Sequence, residues 1–419
     1  MSRLNRASWS WVFYDWANSA FATTVMAGFF PIFLKQYWSA GVDATESTFQ
    51  LGMANSLAGL IVALLAPVLG AIADRGGRRM KFLLLFTVMG VLSTAGLYFV
   101  AQGDWPWAVA LFVVGTVGFT AGTVFYDALI VDVARPRDFD FISGLGYAFG
   151  YLGGGVLFAI NVWMTLQPGM FGLADAAEAV RVSFLTVAIW WSLFAIPVFL
   201  FVRETPGSAP GLLEAARQGW RQLIDTFREV RTLKPVFLFL AAYWFYIDGV
   251  NTIIKMAVDY GLSLGFQSAD LITALLLVQF VGFPAAIAFG WLGERIGTRH
   301  GILLALIVYT GVTFWAYHLD NVTEFFLMAA AIGLVQGGVQ SLSRSLYAQL
   351  IPRERSAEFF GFYGMLGKFA AIVGPMLMAW VGLATGSSRL AILSIAVLFL
   401  IGGALLMLVK QPATSTADA

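Results

Sequence analysis

Twelve long apolar runs decide what this chain can fold into. They fall near 10–36, 48–73, 81–102, 105–133, 139–166 and 180–202, then 234–261, 269–293, 299–318, 321–350, 356–383 and 388–409. Each approaches the roughly 20 residues that a helix needs to cross a hydrocarbon core. The short alternating segments of a membrane-spanning barrel do not occur. The expected fold is therefore an all-α membrane protein with twelve transmembrane helices. With 59% hydrophobic and only 12% charged residues, the chain has too much apolar surface for water. The first run carries Asp15 and is too long for a signal-peptide core, so it is expected to remain as a membrane anchor.

One charged loop interrupts the apolar sequence and then returns. Gly70 to Arg79 reads GAIADRGGRR, and Gly290 to Arg299 reads GWLGERIGTR. Gly70, Asp74, Arg75, Gly77 and Arg79 thus meet Gly290, Glu294, Arg295, Gly297 and Arg299 at one constant spacing. A charged loop repeated at half the chain length is the mark of a duplicated transporter. The reading is two pseudo-symmetric six-helix bundles, 1–202 and 234–410, joined by a cytoplasmic linker over 203–233 and followed by a disordered tail at 411–419. In the linker, Leu213, Ala216, Trp220, Leu223, Ile224 and Phe227 recur at helical spacing, which predicts an amphipathic helix on the membrane surface.

Lysine and arginine set the orientation. With a cytoplasmic N-terminus, 19 basic residues fall on the inner side and only Lys35, Arg181 and Arg389 on the outer. Both termini are therefore expected inside. The formal net charge of +1 argues against a nucleic-acid partner. No cysteine is present, and His300 and His318 are too far apart for a local metal motif. Gly367-Lys368 lacks the remaining pattern of a phosphate loop, and neither His-Glu-x-x-His nor Gly-x-Ser-x-Gly occurs. No enzyme activity, cofactor or metal is expected.

The loop from Gly70 is similar to the helix 2–3 loop of the major facilitator superfamily, with only Ile72 departing from the pattern. Within that superfamily, Tyr14-Asp15-Trp16-Ala17-Asn18-Ser19-Ala20-Phe21 resembles the signature of the autophagy-related vacuolar amino-acid effluxers and their bacterial relatives. Phe125-Tyr126-Asp127-Ala128-Leu129, Ser143-Gly144, Gly150-Tyr151-Leu152-Gly153, Arg344, Gly367-Lys368 and Gly374-Pro375 carry the same resemblance. It implies transport of an amino acid or a related small metabolite in a bacterial inner membrane, with a central cavity lined by helices 1, 4, 7 and 10. It also implies a gate in which Asp74, Arg75, Arg78 and Arg79 lock helix 2 against helix 11. Glu294 and Arg295 belong to the second copy, where Thr298 replaces the arginine equivalent to Arg78 and looser gating is expected.

Ionisable residues inside the apolar runs are the remaining signal, because each costs about 2.5–3.5 kcal/mol at a helix centre and needs a partner or a wet cavity. They are Asp15, Asp127, Asp248, Lys255, Arg344 and Lys368. Counted from the cytoplasmic ends at about 1.5 Å per residue, Asp15, Asp127 and Arg344 reach similar depth, so Arg344 is expected to pair with Asp15 or Asp127 as an inner gate. Asp248, Asn251 and Lys255 share one helix face, as do Asp15 and Asn18, and Gln336, Gln340 and Ser341 precede Arg344. Acids, bases and amides so arranged suit a zwitterion. The expected substrate contacts are Asp15, Asn18, Asp248, Asn251, Lys255, Gln340, Arg344 and Lys368. Asp127 is the first choice for proton coupling and Asp15 the second. Asp132 and Asp259, nearer the two membrane surfaces, are expected to be hydrated, and Tyr14, Trp16, Tyr243, Trp244 and Tyr246 are either cavity walls or interfacial aromatics. The expected partners are a small-molecule substrate and membrane lipids, with the chain a monomer. A lipid flippase of the same fold and a transporter-like sensor are the alternatives.

Overall fold

A computed structural model describes residues 4–41, 44–205, 233–370 and 373–410, together with Glu214, Arg217 and Asp225. The side chains at 44–49, 255, 257–259, 262–263, 268–269, 368, 379 and 388 are outside the described set, as are most of the linker and the tail at 411–419. The expected amphipathic helix therefore lies outside the described residues.

Hydrocarbon offers the backbone no hydrogen-bond partners, so long apolar runs close their own as helices. α1 begins as Arg6–Ala20 and continues through two wide π-helical stretches, Phe21–Phe29 and Leu34–Trp38, separated by Phe30–Phe33. α2 is Ala44–Gly76, α3 Arg79–Gly96, α4 Trp105–Ala128, α5 Phe139–Leu166 and α6 Ala176–Phe201. α7 is Lys234–Ser263, α8 Ser268–Ile296, α9 Thr298–Tyr317 and α10 Val322–Leu350. α11 comprises Ser356–Ala370 and Val373–Thr385, and α12 comprises Ser388–Ser394 and Ala396–Met407. Sequence periodicity predicts α11 as one rod. Residues 371–372 between its two stretches are outside the described set, and the second stretch carries Pro375, which has no N–H to donate.

Side-chain caps fix several helix starts. Asn5, Asp175, Asn321 and Ser387 each accept a hydrogen bond from a backbone N–H in the first turn. The duplicated loop repeats in backbone shape as well as in sequence. Gly77 (φ 56°) and Gly297 (φ 90°) both take the positive φ that glycine tolerates without a steric penalty.

Helices α1 to α6 pack among themselves mainly through α1–α5, α1–α6 and α3–α4, and α7 to α12 through α7–α12, α8–α10 and α9–α10. The two groups meet along two seams, α2 against Ser356–Ala370 of α11, and α5 against α8. Small residues permit both. A Cβ on Gly361 would lie 2.7 Å from the Ala66 carbonyl oxygen, and one on Gly144 would lie 2.8 Å from that of Ala286.

Candidate functional site

Three ionisable side chains from α1, α4 and α10 converge between the two groups of helices. Arg344 Nη1 donates to Asp127 Oδ1 at 2.9 Å and to Asp15 Oδ2 at 3.4 Å. Its other nitrogens hold α5, with Nε donating to Ser143 Oγ at 2.8 Å and Nη2 to the Ser143 carbonyl at 2.9 Å. Ser143 in turn donates to the Ser341 carbonyl. Tyr126 Oη donates to Asp15 Oδ2 at 2.8 Å. The guanidinium is 1% exposed and lies 4.6 Å from the Trp11 ring and 4.3 Å from that of Tyr147, so aromatic faces cover what the carboxylates leave. Arg344 thus pairs with both expected acids rather than one. Its five donors allow this, and two carboxylates now face one cation.

On the side away from the chain termini, this cluster forms the floor of a cavity of about 490 Å³. Asp15, Asn18, Asn251, Gln340 and Arg344 line it, joined by Ser19, Thr23, Tyr147, Tyr151, Gln279 and Gln336. Phe119, Phe158, Ile254, Leu271, Phe325 and Ile332 supply apolar wall. The lining comes from α1, α4, α7 and α10, as expected, and also from α5 and α8. Tyr151 crosses from α5 to donate to Gln340 Oε1 at 3.2 Å, with its ring beside Gly282 and Gly337. Gln279 of α8 donates to Thr23 Oγ1 of α1 at 2.6 Å.

Asp248 does not join Asn251 at the cavity. It is 1% exposed, and its Oδ2 accepts the Gly374 N–H at 2.8 Å, while Thr252 Oγ1 donates to Oδ1. The buried acid is thereby held on the backbone of α11, one residue before Pro375. Of the two residues expected on one face, Asn251 lines the cavity and Asp248 is placed against α11. The side chains of Lys255, Lys368 and Asp259 lie outside the described residues. Among the aromatics, Tyr14 is buried with its hydroxyl on Thr87, Tyr246 shares a hydrogen bond with Ser343, and Trp244 is exposed.

The charged loop lies at the termini side, where the cavity is closed. Asp74 of α2 accepts the N–H of Ala357 at 3.2 Å and of Glu358 at 2.8 Å, at the start of α11, and pairs with Arg79 Nε at 2.6 Å. Arg79 also meets Asp132 at 2.9 Å and the carbonyls of Arg353 and Glu354. Asp132 is therefore an ion-pair member and not a hydrated surface acid. Gly70 abuts the Ala357 carbonyl. Arg78 begins the turn into α3 without a side-chain cap, and the buried Nε of Arg75 has no hydrogen-bond partner. In the second copy, Arg295 stacks 3.6 Å over the Trp291 ring, and Arg299 donates to the Met407 and Val409 carbonyls at the end of α12.

Sequence reasoning passed over Tyr147 and Gln279, and named Tyr151 only within the family resemblance, not as a site residue. The signal for the two tyrosines is present, since bulky hydroxylated rings interrupt a run of glycines from Gly144 to Gly155. Gln279 stands alone in an apolar stretch and offers no pattern.

The comparisons with known proteins agree with this geometry. The family model described as "Vacuole effluxer Atg22 like" matches residues 4–417. The chain is similar to the MFS-type transporter YxiO of Bacillus subtilis (strain 168), at 37% identity over 99% of this chain and 97% of that protein. It is also similar to autophagy-related protein 22 of Eremothecium gossypii, at 25% identity over 90% of this chain and 85% of that one. In three dimensions it resembles the human organic anion transporter MFSD10, with a TM-score of 0.72 and 18% identity over 96% of this chain and 99% of that chain. The proton:xylose symporter XylE superposes with a TM-score of 0.69 and 14% identity over 97% and 95% of the two chains. The twelve-helix architecture is therefore the major facilitator fold, and the chain belongs to the Atg22-like family of multi-pass membrane transporters.

Proposed function

We propose that this transporter is a secondary active carrier of a small zwitterionic, amino-acid-like metabolite, working by alternating access and coupled to protons. The observation that carries the reading is the cavity floor. Asp15 and Arg344 carry opposite charges there, with Asn18, Gln336 and Gln340 also in the lining. An ammonium group would meet Asp15 and a carboxylate would meet Arg344 in charge-assisted contacts, while the apolar wall takes up a hydrocarbon side chain. The volume falls within the roughly 300–1,000 Å³ common for small-molecule sites.

Coupling follows from charge count. Two carboxylates share one guanidinium, so binding a substrate carboxylate at Arg344 loosens its hold on an acid. Geometry favours Asp15 over Asp127 as the group that exchanges the proton, reversing the order favoured by sequence. Asp15 lines the cavity and sits at 3.4 Å from Arg344, whereas Asp127 is held at 2.9 Å and does not line it. The basic-residue count supports cytoplasmic termini, so the cavity would face the opposite side and the charged loop would be the closed inner gate.

Proteoliposome uptake with an amino-acid panel, with and without a pH gradient, tests the reading. At least one amino acid should enter faster with the gradient, and Arg344→Met should abolish uptake. Asp15→Asn should lose the gradient response and weaken substrate binding in whatever exchange remains. The apolar wall favours one rival, an amphiphile carrier. Uptake of no amino acid, combined with thermal stabilisation by lipid, would replace the first reading with that one.

A further inference from the structure

The second seam contains a buried acid that the ion cluster does not use. Asp140, in the first turn of α5, is 6% exposed. Its Oδ2 accepts from Thr298 Oγ1, the first residue of α9, at 2.8 Å. Its Oδ1 accepts from Ser345 Oγ and from Gln349 Nε2 (3.3 Å), both on α10. Gln349 also donates to Thr298 Oγ1 and Ser345 Oγ, closing a ring of four side chains. Among the described residues no ion pair reaches Asp140. Gly293 makes room for it, since a Cβ there would lie 2.9 Å from Asp140 Oδ2.

This arrangement mirrors the charged loop across the pseudo-twofold relation of the repeats. Gly70 abuts the Ala357 carbonyl at the start of α11, and Gly290 abuts the Asp140 carbonyl at the start of α5, where its Cβ would lie 2.9 Å away. In each seam a buried carboxylate reaches across to the other group of helices at the termini side. Asp74 does so with Arg79 beside it, and Asp140 does so with neutral donors alone. Thr298 stands where the first copy has Arg78, and this apparent decay of the loop supplies one of the donors.

We propose that Asp140, Thr298, Ser345 and Gln349 form a second latch, built without a cation, that holds α5 to α9 and α10 and positions the closed inner gate. The proposal rests on the reading that the two groups of helices rock. A carboxylate accepting several hydrogen bonds is stable without a cation, because bonds to an ionised acceptor are themselves charge-assisted. Each such bond contributes a bias toward the closed state of about tenfold or more, equivalent to at least roughly 1.5 kcal/mol.

The chain has no cysteine, so spin-label pairs can be introduced directly. Arg135→Cys with Ile296→Cys reports the α5–α8 seam, and Lys81→Cys with Glu354→Cys reports the α2–α11 seam. In lipid nanodiscs, Thr298→Val should raise the long-distance population across the α5–α8 seam about tenfold or more, Asp140→Leu should raise it further, and Thr298→Ser should match the parent. Asp74→Ala is the control that opens the other latch. If Asp140→Leu does not fold, Thr298→Val and Gln349→Leu carry the test. Opening by Asp74→Ala with no change in the folded Asp140, Thr298 or Gln349 variants overturns the latch alone. Immobility of both seams in every variant overturns the rocking reading and the latch with it.

Discussion

Replacing Arg344 with methionine should be among the most damaging single changes in the chain, and a second substitution should partly undo it. The guanidinium meets Asp127 at 2.9 Å and Asp15 at 3.4 Å and makes two further bonds to Ser143. At an effective dielectric of about 20, each ion contact is worth about 5 kcal/mol before desolvation is counted. Burial takes back several kcal/mol per ion, so the pair is a weak source of net stability, yet breaking it strands a buried charge at a cost of about 3–5 kcal/mol. Arg344→Met strands two carboxylates. Arg344→Met with Asp127→Asn strands one, and should recover at least about 2 kcal/mol of the loss. The two-to-one count makes an opposite forecast for the acids. Asp127→Asn alone leaves Asp15 opposite Arg344 and should cost no more than about 1–2 kcal/mol, whereas Asp15→Asn with Asp127→Asn strands the cation and should cost about 3–5 kcal/mol. Unfolding titrations with SDS from detergent micelles measure all four variants. If the Arg344→Met, Asp127→Asn protein is no more stable than Arg344→Met, the charge argument is wrong.

Three further outcomes are expected. Asp74→Ala removes the cap on Ala357 and Glu358 and the 2.6 Å contact to Arg79, and should raise cysteine-label reactivity in the α2–α11 seam by tenfold or more, for a loss of about 1.5–3 kcal/mol. Gly361→Ala places a Cβ 2.7 Å from the Ala66 carbonyl oxygen and should lengthen the spin-label distance between α2 and α11, with an unchanged distance counting against close backbone packing. Glu204, beyond the end of α6, has its pKa raised by burial, opposed by the Met80 N–H it accepts. A raised carboxyl pKa means stability is fully present below the ordinary glutamate range and falls as pH rises through the raised value. Glu204→Gln should flatten that decline in thermal unfolding between acidic and neutral pH.

The spans were legible because bilayer thickness acts on every residue of a helix, and mean hydropathy reads it directly. The meeting of Asp15, Asp127 and Arg344 was legible from depth alone, since three ions at one level in a low-dielectric interior have few other partners. Depth could not say that Arg344 takes both acids, because this depends on where Ser143 and Tyr126 turn the planar guanidinium. Asp248 misled for a related reason. A helical wheel assigns it a face, but the Gly374 N–H of α11 meets its carboxylate, and a wheel of α7 alone contains no donor from another helix. Asp140 was hidden by its place near a loop, where an acid is ordinarily hydrated. Only packing across the seam reveals that Gly290 and Gly293 bury it.

Separating Asp248 from the cavity alters what the carrier can recognise. With Asp248 bonded to the Gly374 N–H, Asp15 is the one carboxylate that lines the cavity among the described residues, and it lies beside Arg344 rather than across the cavity. Among the described residues both charged contacts therefore lie at one end, and Phe119, Ile254, Leu271, Phe325 and Ile332 form the apolar wall. A ligand with opposite charges on one carbon and an apolar remainder fits this polarity, whereas one with charges at both ends would force an ion against that wall at a cost of several kcal/mol. Competition in the uptake assay separates the two. α-Amino acids with apolar side chains should compete best, and an ω-amino acid of equal carbon number should compete at least tenfold less well. Equal competition would mean that the second charge finds a partner in the cavity, and that the apolar wall plays no part in selection.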